Sequence, residues 1–209
     1  MISRIQLTTI VYIAAAALAL LLSLRGIAVP SEWFQPLGLV ISVLVLFLWV
    51  FERWLWRLPF LHPWFVDTPN LRGTWQGVLS STWVDPASGG RLDPISTYMV
   101  IRQTFSSIHV RLLTNESASD SLSANLKKAD DGSWSLAAVY RNVPTAVVVD
   151  RSPQHFGAVV LTMRGQRPRT LEGQYWTNRH TKGDLHFTTR TRKLVDEFRA
   201  ASAILPPPA

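Results

Sequence analysis

Tyr175, Thr177 and Arg179 alternate within the run Gly173-Gln174-Tyr175-Trp176-Thr177-Asn178-Arg179. Successive side chains of an extended strand point to opposite faces, so this spacing sets a phenol, a hydroxyl and a guanidinium on one face. Trp176 and Asn178 take the other. The trio has the chemistry to stack a base, donate to a phosphate and neutralise its charge. The plainer reading is a core tyrosine with an arginine snorkelling at the strand end.

A second row alternates as cleanly. Ser117, Ser119, Ser121 and Ser123 set four hydroxyls on one face, which suits a polar cavity or a solvated outer face. Arg102, Gln103, Arg111, Tyr140, Arg141 and Asn142 are further polar residues within or ending candidate strands. Where several of them point inward together, the interior is positive and made for an anion.

Other chemistries find little purchase. The chain has no cysteine, which excludes disulfides, thiolate zinc sites and a thiol nucleophile. Its five histidines (62, 109, 155, 180 and 186) show no metal-binding spacing, and His155 and His180 fall in expected turns, where solvent exposure is the simplest reading. There is no Gly-x-Ser-x-Gly elbow, no phosphate-binding Gly-rich loop and no paired-carboxylate motif, so the expectation is a binding protein with no metal or cofactor and not an enzyme. No Lys/Arg run is long enough to argue for DNA or RNA.

The elements that must carry these residues are short strands. Alternating runs are expected at 72–83, 95–105, 107–115, 119–128, 134–142, 156–164, 170–179 and 184–190, with 147–149 as a short extra piece. They are parted by Asp85-Pro86 with Gly89-Gly90, Asp130-Asp131-Gly132, Arg151-Ser152-Pro153, Gly165 to Pro168 and Thr181-Lys182-Gly183. Eight strands with short connections predict an all-β soluble domain, an eight-stranded antiparallel up-and-down β-barrel whose interior holds one small ligand; a sandwich is the alternative. Gly73 and Gly77 flank Trp75 on one face and let the first strand bend around the indole, which is expected in the core. The stretch 192–204, with Leu194, Val195 and Phe198, reads as a short helix before a Pro-rich tail.

In front of the barrel lie two apolar spans, Ile5–Leu24 and Trp33–Phe51, both free of charge. A bilayer core of about 30 Å needs roughly 20 helical residues, so each is long enough to cross. Arg25–Glu32, with Gly26 and Pro30, turns the pair into a hairpin. Trp33, Trp49, Trp54, Trp56 and Trp64 cluster where indoles meet the lipid–water boundary. Arg4, Arg53 and Arg57 lie on the terminal side, which places both termini in the cytoplasm. A signal peptide cleaved near Gly26-Ile27-Ala28 fits less well, because the apolar run exceeds a signal core of about 7–15 residues and a second span follows. The chain of 209 residues, with 21 basic against 14 acidic side chains, then divides into a transmembrane hairpin (1–57), a stiff, extended Pro-rich linker (58–70), a cytoplasmic barrel (71–191) and a helix with tail (192–209).

Taken in order, the two spans, Thr68-Pro69-Asn70-Leu71-Arg72-Gly73-Thr74-Trp75, the Ser-rich strand, Tyr140-Arg141-Asn142 and Gly173–Arg179 followed by Gly183 resemble one family. It is the two-transmembrane β-barrel effectors of bacterial CBASS anti-phage defence, the CD-NTase-associated cyclic-dinucleotide receptors. The resemblance implies an inner-membrane protein whose barrel binds a cyclic di- or trinucleotide made by a partner nucleotidyltransferase. Binding would drive self-association and disrupt the lipid bilayer, causing growth arrest or cell death. Tyr175, Thr177, Asn178 and Arg179 are the pocket residues it implies, followed by Tyr140 and Asn142; Arg111, Arg102 and Ser119 join them from the strand pattern. Arg141-Asn142-Val143-Pro144 departs from the family, where an acidic residue is expected before the proline. The competing reading is a membrane-tethered lipocalin-like carrier of an apolar molecule, which would show an apolar interior.

Overall fold

The computed structural model describes residues 4–26, 35–84 and 89–206, with side chains in the two N-terminal helices described from Ile13 and, in the second, at Leu39 and from Ser42 onward. The expected hairpin turn at Pro30, the processing site at Ile27-Ala28, Trp33, the break at Asp85-Pro86 and the last three residues lie outside the described residues. The chain divides into two compact units: residues 1–59 together with Thr104–Ser106, and residues 60–103 together with 107–209.

The first unit contains helix α1 (Arg4–Leu24) and helix α2 (Gln35–Arg53), 21 and 19 residues long. Over the described residues no helix is long and apolar enough to cross a membrane. Many of the described apolar side chains, among them Leu18, Leu21, Leu39, Val43 and Phe47, are exposed. At the end of α2, Glu52 Oε1 accepts hydrogen bonds from Thr104 Oγ1 and from the amide and hydroxyl of Ser106, and the Phe105 ring packs edge-on against Phe51 at 5.2 Å.

The second unit is a closed barrel of eight antiparallel strands in sequence order: β1 (Gly73–Ser81), β2 (Ile95–Gln103), β3 (Ile108–Leu113), β4 (Ser117–Lys128), β5 (Ser133–Pro144), β6 (His155–Arg164), β7 (Leu171–Thr177) and β8 (Lys182–Thr191). Closure by β1 on β8 pairs Thr74 with Thr191 and Ser81 with Gly183, with a bulge at Gln76/Gly77. Gly77 is required there: a Cβ would lie 2.2 Å from the His186 carbonyl and 2.5 Å from the Phe187 ring. Alternation fills the interior. Trp75, Met99, Ile101, Leu136, Leu161, Leu171 and Phe187 are buried in one cluster, and burying each such side chain contributes roughly 1.5–3 kcal/mol.

One end is plugged. Trp75 Nε1 donates to Leu71 O at 2.8 Å, and the Arg190 guanidinium stacks 5.0 Å above the indole while donating to Asn70 O (2.8 Å) and Arg72 O (2.6 Å). Burial, reinforced by the charges of Arg192, Arg167 and Arg72, pulls the Arg190 pKa down to about 10. Gln103 completes the plug, accepting from Leu71 N and donating to Pro69 O.

Four expectations change in the structure. The Pro-rich stretch is not extended: Pro59–Leu61 is a 3-10 turn, and Phe65 N and Val66 N both return to Leu61 O, since a proline's fixed φ suits a 3-10 turn as well as a strand. The C-terminal helix α3 runs only Phe198–Ile204. The residues before it, 192–197, are irregular and tied to β1 where Thr74 Oγ1 donates to Lys193 O, and Val195 packs with Ala201 over Tyr98, Val100 and Leu113 on the outer face. Residues 147–149 are a turn with Val148 buried, not a strand. Lys182 and Gly183, read as a turn, begin β8.

Candidate ligand-binding site

In an up-and-down barrel the β1–β2, β3–β4, β5–β6 and β7–β8 connections share one end. A cavity of about 220 Å³ opens among them, opposite the plug. Its floor is apolar, built from the inward residues Leu79, Met99, Val110, Ala138, Val159 and Leu185. Polarity rises toward the rim.

The hydroxyl row of β4 supplies one polar wall. Ser117, Ser119 and Ser121 line the cavity, and Asn142 Nδ2 on β5 donates to Ser117 Oγ (3.0 Å) and Ser119 Oγ (2.9 Å). Ser123 does not follow them. The β4–β5 register shifts between Ser121 and Ser123, so Leu122 forms a bulge and the inward phase passes to Ala124 and Leu126. A bulge inserts one unpaired residue and thereby exchanges the two faces of the strand beyond it.

Tyr140, paired with Ser121 across β4 and β5, and Tyr175 on β7 supply the aromatic part of the lining, each 9% exposed. Burial raises both phenol pKa values, with Tyr175 adding to the shift at Tyr140, so both rings remain protonated donors and aromatic faces at neutral pH. Tyr140 fits because its partner across the pair is Gly157. A Cβ there would sit 2.4 Å from Tyr140 Oη and 2.6 Å from Trp176 O.

Charge gathers at the rim. Thr177 Oγ1 lies 2.7 Å from Thr181 Oγ1 and accepts from Arg179 N, fixing the β7–β8 turn in which His180 takes a left-handed φ of 59°. Arg179 Nη1 then reaches Ser152 Oγ at 3.0 Å and Pro153 O at 3.4 Å in the β5–β6 connection. From that connection Arg151 Nη2 donates to Glu116 Oε1 at 2.5 Å. His155 Nδ1 lies 3.1 Å from Pro153 O, a pure acceptor, so Nδ1 carries the proton. Burial first, and the Arg179 charge second, lower the His155 pKa.

Of the residues expected from sequence, Ser119, Tyr140, Asn142, Tyr175, Thr177 and Arg179 all line this cavity. Three do not. Arg102 faces outward and pairs with Asp196 at 2.6 Å; Arg111 faces outward, 3.6 Å from Asp120. Ile101 and Gln103 on β2, and Val110 and Leu112 on β3, take the inward parity, which leaves the arginines between them outside. Asn178 lies past the end of β7 and ties the turn to β6, its Oδ1 accepting from Phe156 N and its own amide donating to Phe156 O. Glu116, Arg151, Ser152, Thr181 and His155 were not anticipated at the site. The first four sit on connections, and His155, expected in an exposed turn, begins β6 and lines the cavity. The signal that finds them is topological: in an even meander, alternate connections ring the same mouth.

The site therefore offers two guanidinium groups and a row of hydroxyl and amide donors beside two aromatic faces, above an apolar floor. Among the described residues no cluster of three metal-ligating side chains occurs. Comparison with known proteins adds one match: the family model described as Cap15, cyclic dinucleotide receptor domain, aligns with residues 66–189, a range that contains every cavity residue named above. No curated protein matches the chain.

Proposed function

Since the chain belongs to the family of the Cap15 cyclic dinucleotide receptor domain, found in CBASS effectors, we propose that it is a membrane-anchored receptor and effector whose barrel takes a cyclic di- or trinucleotide in the cavity described above. The observation that carries this reading is the meeting of Arg179 with the Ser117–Asn142 donor wall and the Tyr140 and Tyr175 rings in one pocket. A cyclic dinucleotide presents two phosphates and two bases, so it calls for cations, donors and aromatic faces together. A base stacked on an aromatic ring contributes about 1–3 kcal/mol.

Membrane anchoring is proposed from the two apolar N-terminal spans, most of whose described side chains are exposed, and from the exposed aromatic residues Trp54, Phe60 and Trp64. The spans form an inner-membrane hairpin with cytoplasmic termini. Self-association on ligand binding has a candidate surface on the outside of the barrel. Val139, Ala158 and Trp176 are neighbours across β5, β6 and β7, and Leu122, Val139, Phe156 and Trp176 are all exposed there. Assembly would cluster the hairpins and compromise the bilayer. Binding chemistry, without a catalytic step, accounts for every group in the pocket.

The test is thermal unfolding of the chain against a panel of cyclic di- and trinucleotides. A ligand at about 100 times its dissociation constant stabilises the fold by roughly 2.7 kcal/mol, some 5–10 °C for a protein of this size. A shift with one member of the panel identifies the messenger. No shift with any, in a protein that melts cooperatively, overturns the reading and favours an apolar carrier seated on the Met99–Val110–Leu185 floor.

A further inference from the structure

Glu116 is the one carboxylate among the described residues lining the cavity, and it engages one of the cavity's two guanidinium groups. The Arg151–Glu116 pair spans the rim from the β5–β6 connection to the β3–β4 turn. A backbone bond joins the same two elements, Thr145 N donating to Glu116 O at 2.8 Å. Ser152, next to Arg151, accepts from Arg179. The connection is folded on itself by bonds from Val148 N to Thr145 O and from Ser152 N to Val148 O, with Val148 buried beneath it. Both cations of the cavity therefore involve one strip of chain: Arg179 ends on its neutral oxygens, and Arg151 leaves it to end on a carboxylate.

That carboxylate is easily replaced. The Arg151 and Glu116 side chains are 60% and 52% exposed, and water screens a pair of this kind so that it is held weakly. A phosphodiester offers a guanidinium the same planar, two-oxygen acceptor as a carboxylate. We propose that Arg151 is the second anion-binding cation of the cavity, occupied by Glu116 in the free protein and released to the second phosphate of a ligand whose first phosphate sits on Arg179. This rests on reading the cavity as a cyclic dinucleotide site. Glu116 then acts as a selectivity device. A ligand with a single phosphate satisfies Arg179 and leaves the pair closed, whereas a ligand with two must open it. Opening removes the side-chain tie between the β5–β6 connection and the β3–β4 turn, while the Thr145–Glu116 backbone bond keeps its root in place.

The experiment is calorimetric titration of the full chain in detergent micelles. Its probes are the tightest of cyclic di-AMP, cyclic di-GMP and cyclic UMP–AMP, with 3′,5′-cyclic AMP as the single-phosphate probe. Arg151→Ala is expected to weaken the cyclic dinucleotide by about 10–100-fold, the loss of a charge-assisted contact, while changing cyclic AMP less than about twofold. Glu116→Gln is expected to tighten the cyclic dinucleotide by about 2–5-fold, and to do nothing measurable in the Arg151→Ala background. Unliganded melting of each variant separates a folding defect from a binding one, and Arg151→Lys should recover part of the affinity. Wild-type affinity in Arg151→Ala overturns the proposal, as does Glu116→Gln acting equally with and without Arg151. Weakened binding in Glu116→Gln also overturns it, by making Glu116 a ligand contact. Wild-type protein that binds none of the dinucleotides brings down the reading of the site itself, and this assignment with it.

Discussion

His155 carries a single proton on Nδ1 because Pro153 O can only accept, and burial beside Arg179 holds its pKa below the usual histidine value. The imidazole is therefore neutral in the free protein at pH 7. An ionised phosphodiester seated on Arg179 would favour the imidazolium, so binding takes up a proton. Affinity is expected to rise as pH falls through the ligand-bound pKa of His155 and to level off below its free value, by at most about tenfold per pH unit for one proton. His155→Gln should flatten the profile between about pH 5.5 and 8. A flat profile in the wild type would place the phosphates away from His155. The free protein runs the other way: with the folded pKa depressed, the unfolded chain binds more protons, and stability declines as pH drops through about 6.5. Alternation set Tyr175, Thr177 and Arg179 on one face of their strand, but it was the family resemblance that made that face the pocket. The strand pattern misplaced Arg102 and Arg111, and on β2 the reason is physical. Tyr98 and Val100 on β2 are buried from outside by Val195 and Ala201, so β2 is apolar on both faces and its composition does not say which face is inner.

At the level of strands, the eight runs and their order were legible in the sequence because turn residues punctuate them; that order left a sandwich open, and the pairing of β1 with β8 decides for the closed barrel. The bulge was not. Ser117, Ser119, Ser121 and Ser123 alternate without a break, and only pairing with β5 reveals that Leu122 is extra and that Ser123 has crossed to the outside. The rim loops were illegible for a related reason: Glu116, Arg151 and Thr181 have no periodicity of their own and acquire a role only when closure gathers alternate connections. Packing between strands is more predictable. Gly157 gives way to Tyr140, and its missing Cβ would also meet the backbone oxygen of Trp176. Gly157→Ala is expected to lower stability by about 1–3 kcal/mol, the usual range for overpacking, and Tm by roughly 3–10 °C. Adding Tyr140→Phe should recover only part of the loss, since the ring carbon at 2.5 Å and the Trp176 carbonyl at 2.6 Å remain. Full recovery would mean the phenol oxygen alone sets the limit.

A ligand shifts an equilibrium only by its differential affinity for the two states, so a receptor that acts by assembly must bind its messenger more tightly when assembled. Confinement adds a second contribution, because tethering raises the effective concentration of neighbouring barrels without any new contact. The barrel holds its own core and the whole of the cavity within residues 60–103 and 107–209, so the proposed recognition and the proposed anchoring fall in different parts of the chain and can be tested separately. Removing residues 1–51 is expected to leave cyclic dinucleotide affinity within about twofold of the full chain under dilute conditions, where no assembly contributes. The same truncation should abolish growth arrest in cells that make the messenger. Trp176→Glu in the full chain sets a charge into the exposed Val139–Trp176 strip and should block assembly on sizing columns while leaving the ligand-induced stabilisation of the single barrel, less the contribution of assembly. Growth arrest by the truncated protein would move the effector activity into the barrel. Assembly that survives Trp176→Glu would move the contact to another face of the barrel or to the helices, and loss of ligand affinity in the truncation would mean that the anchor shapes the pocket.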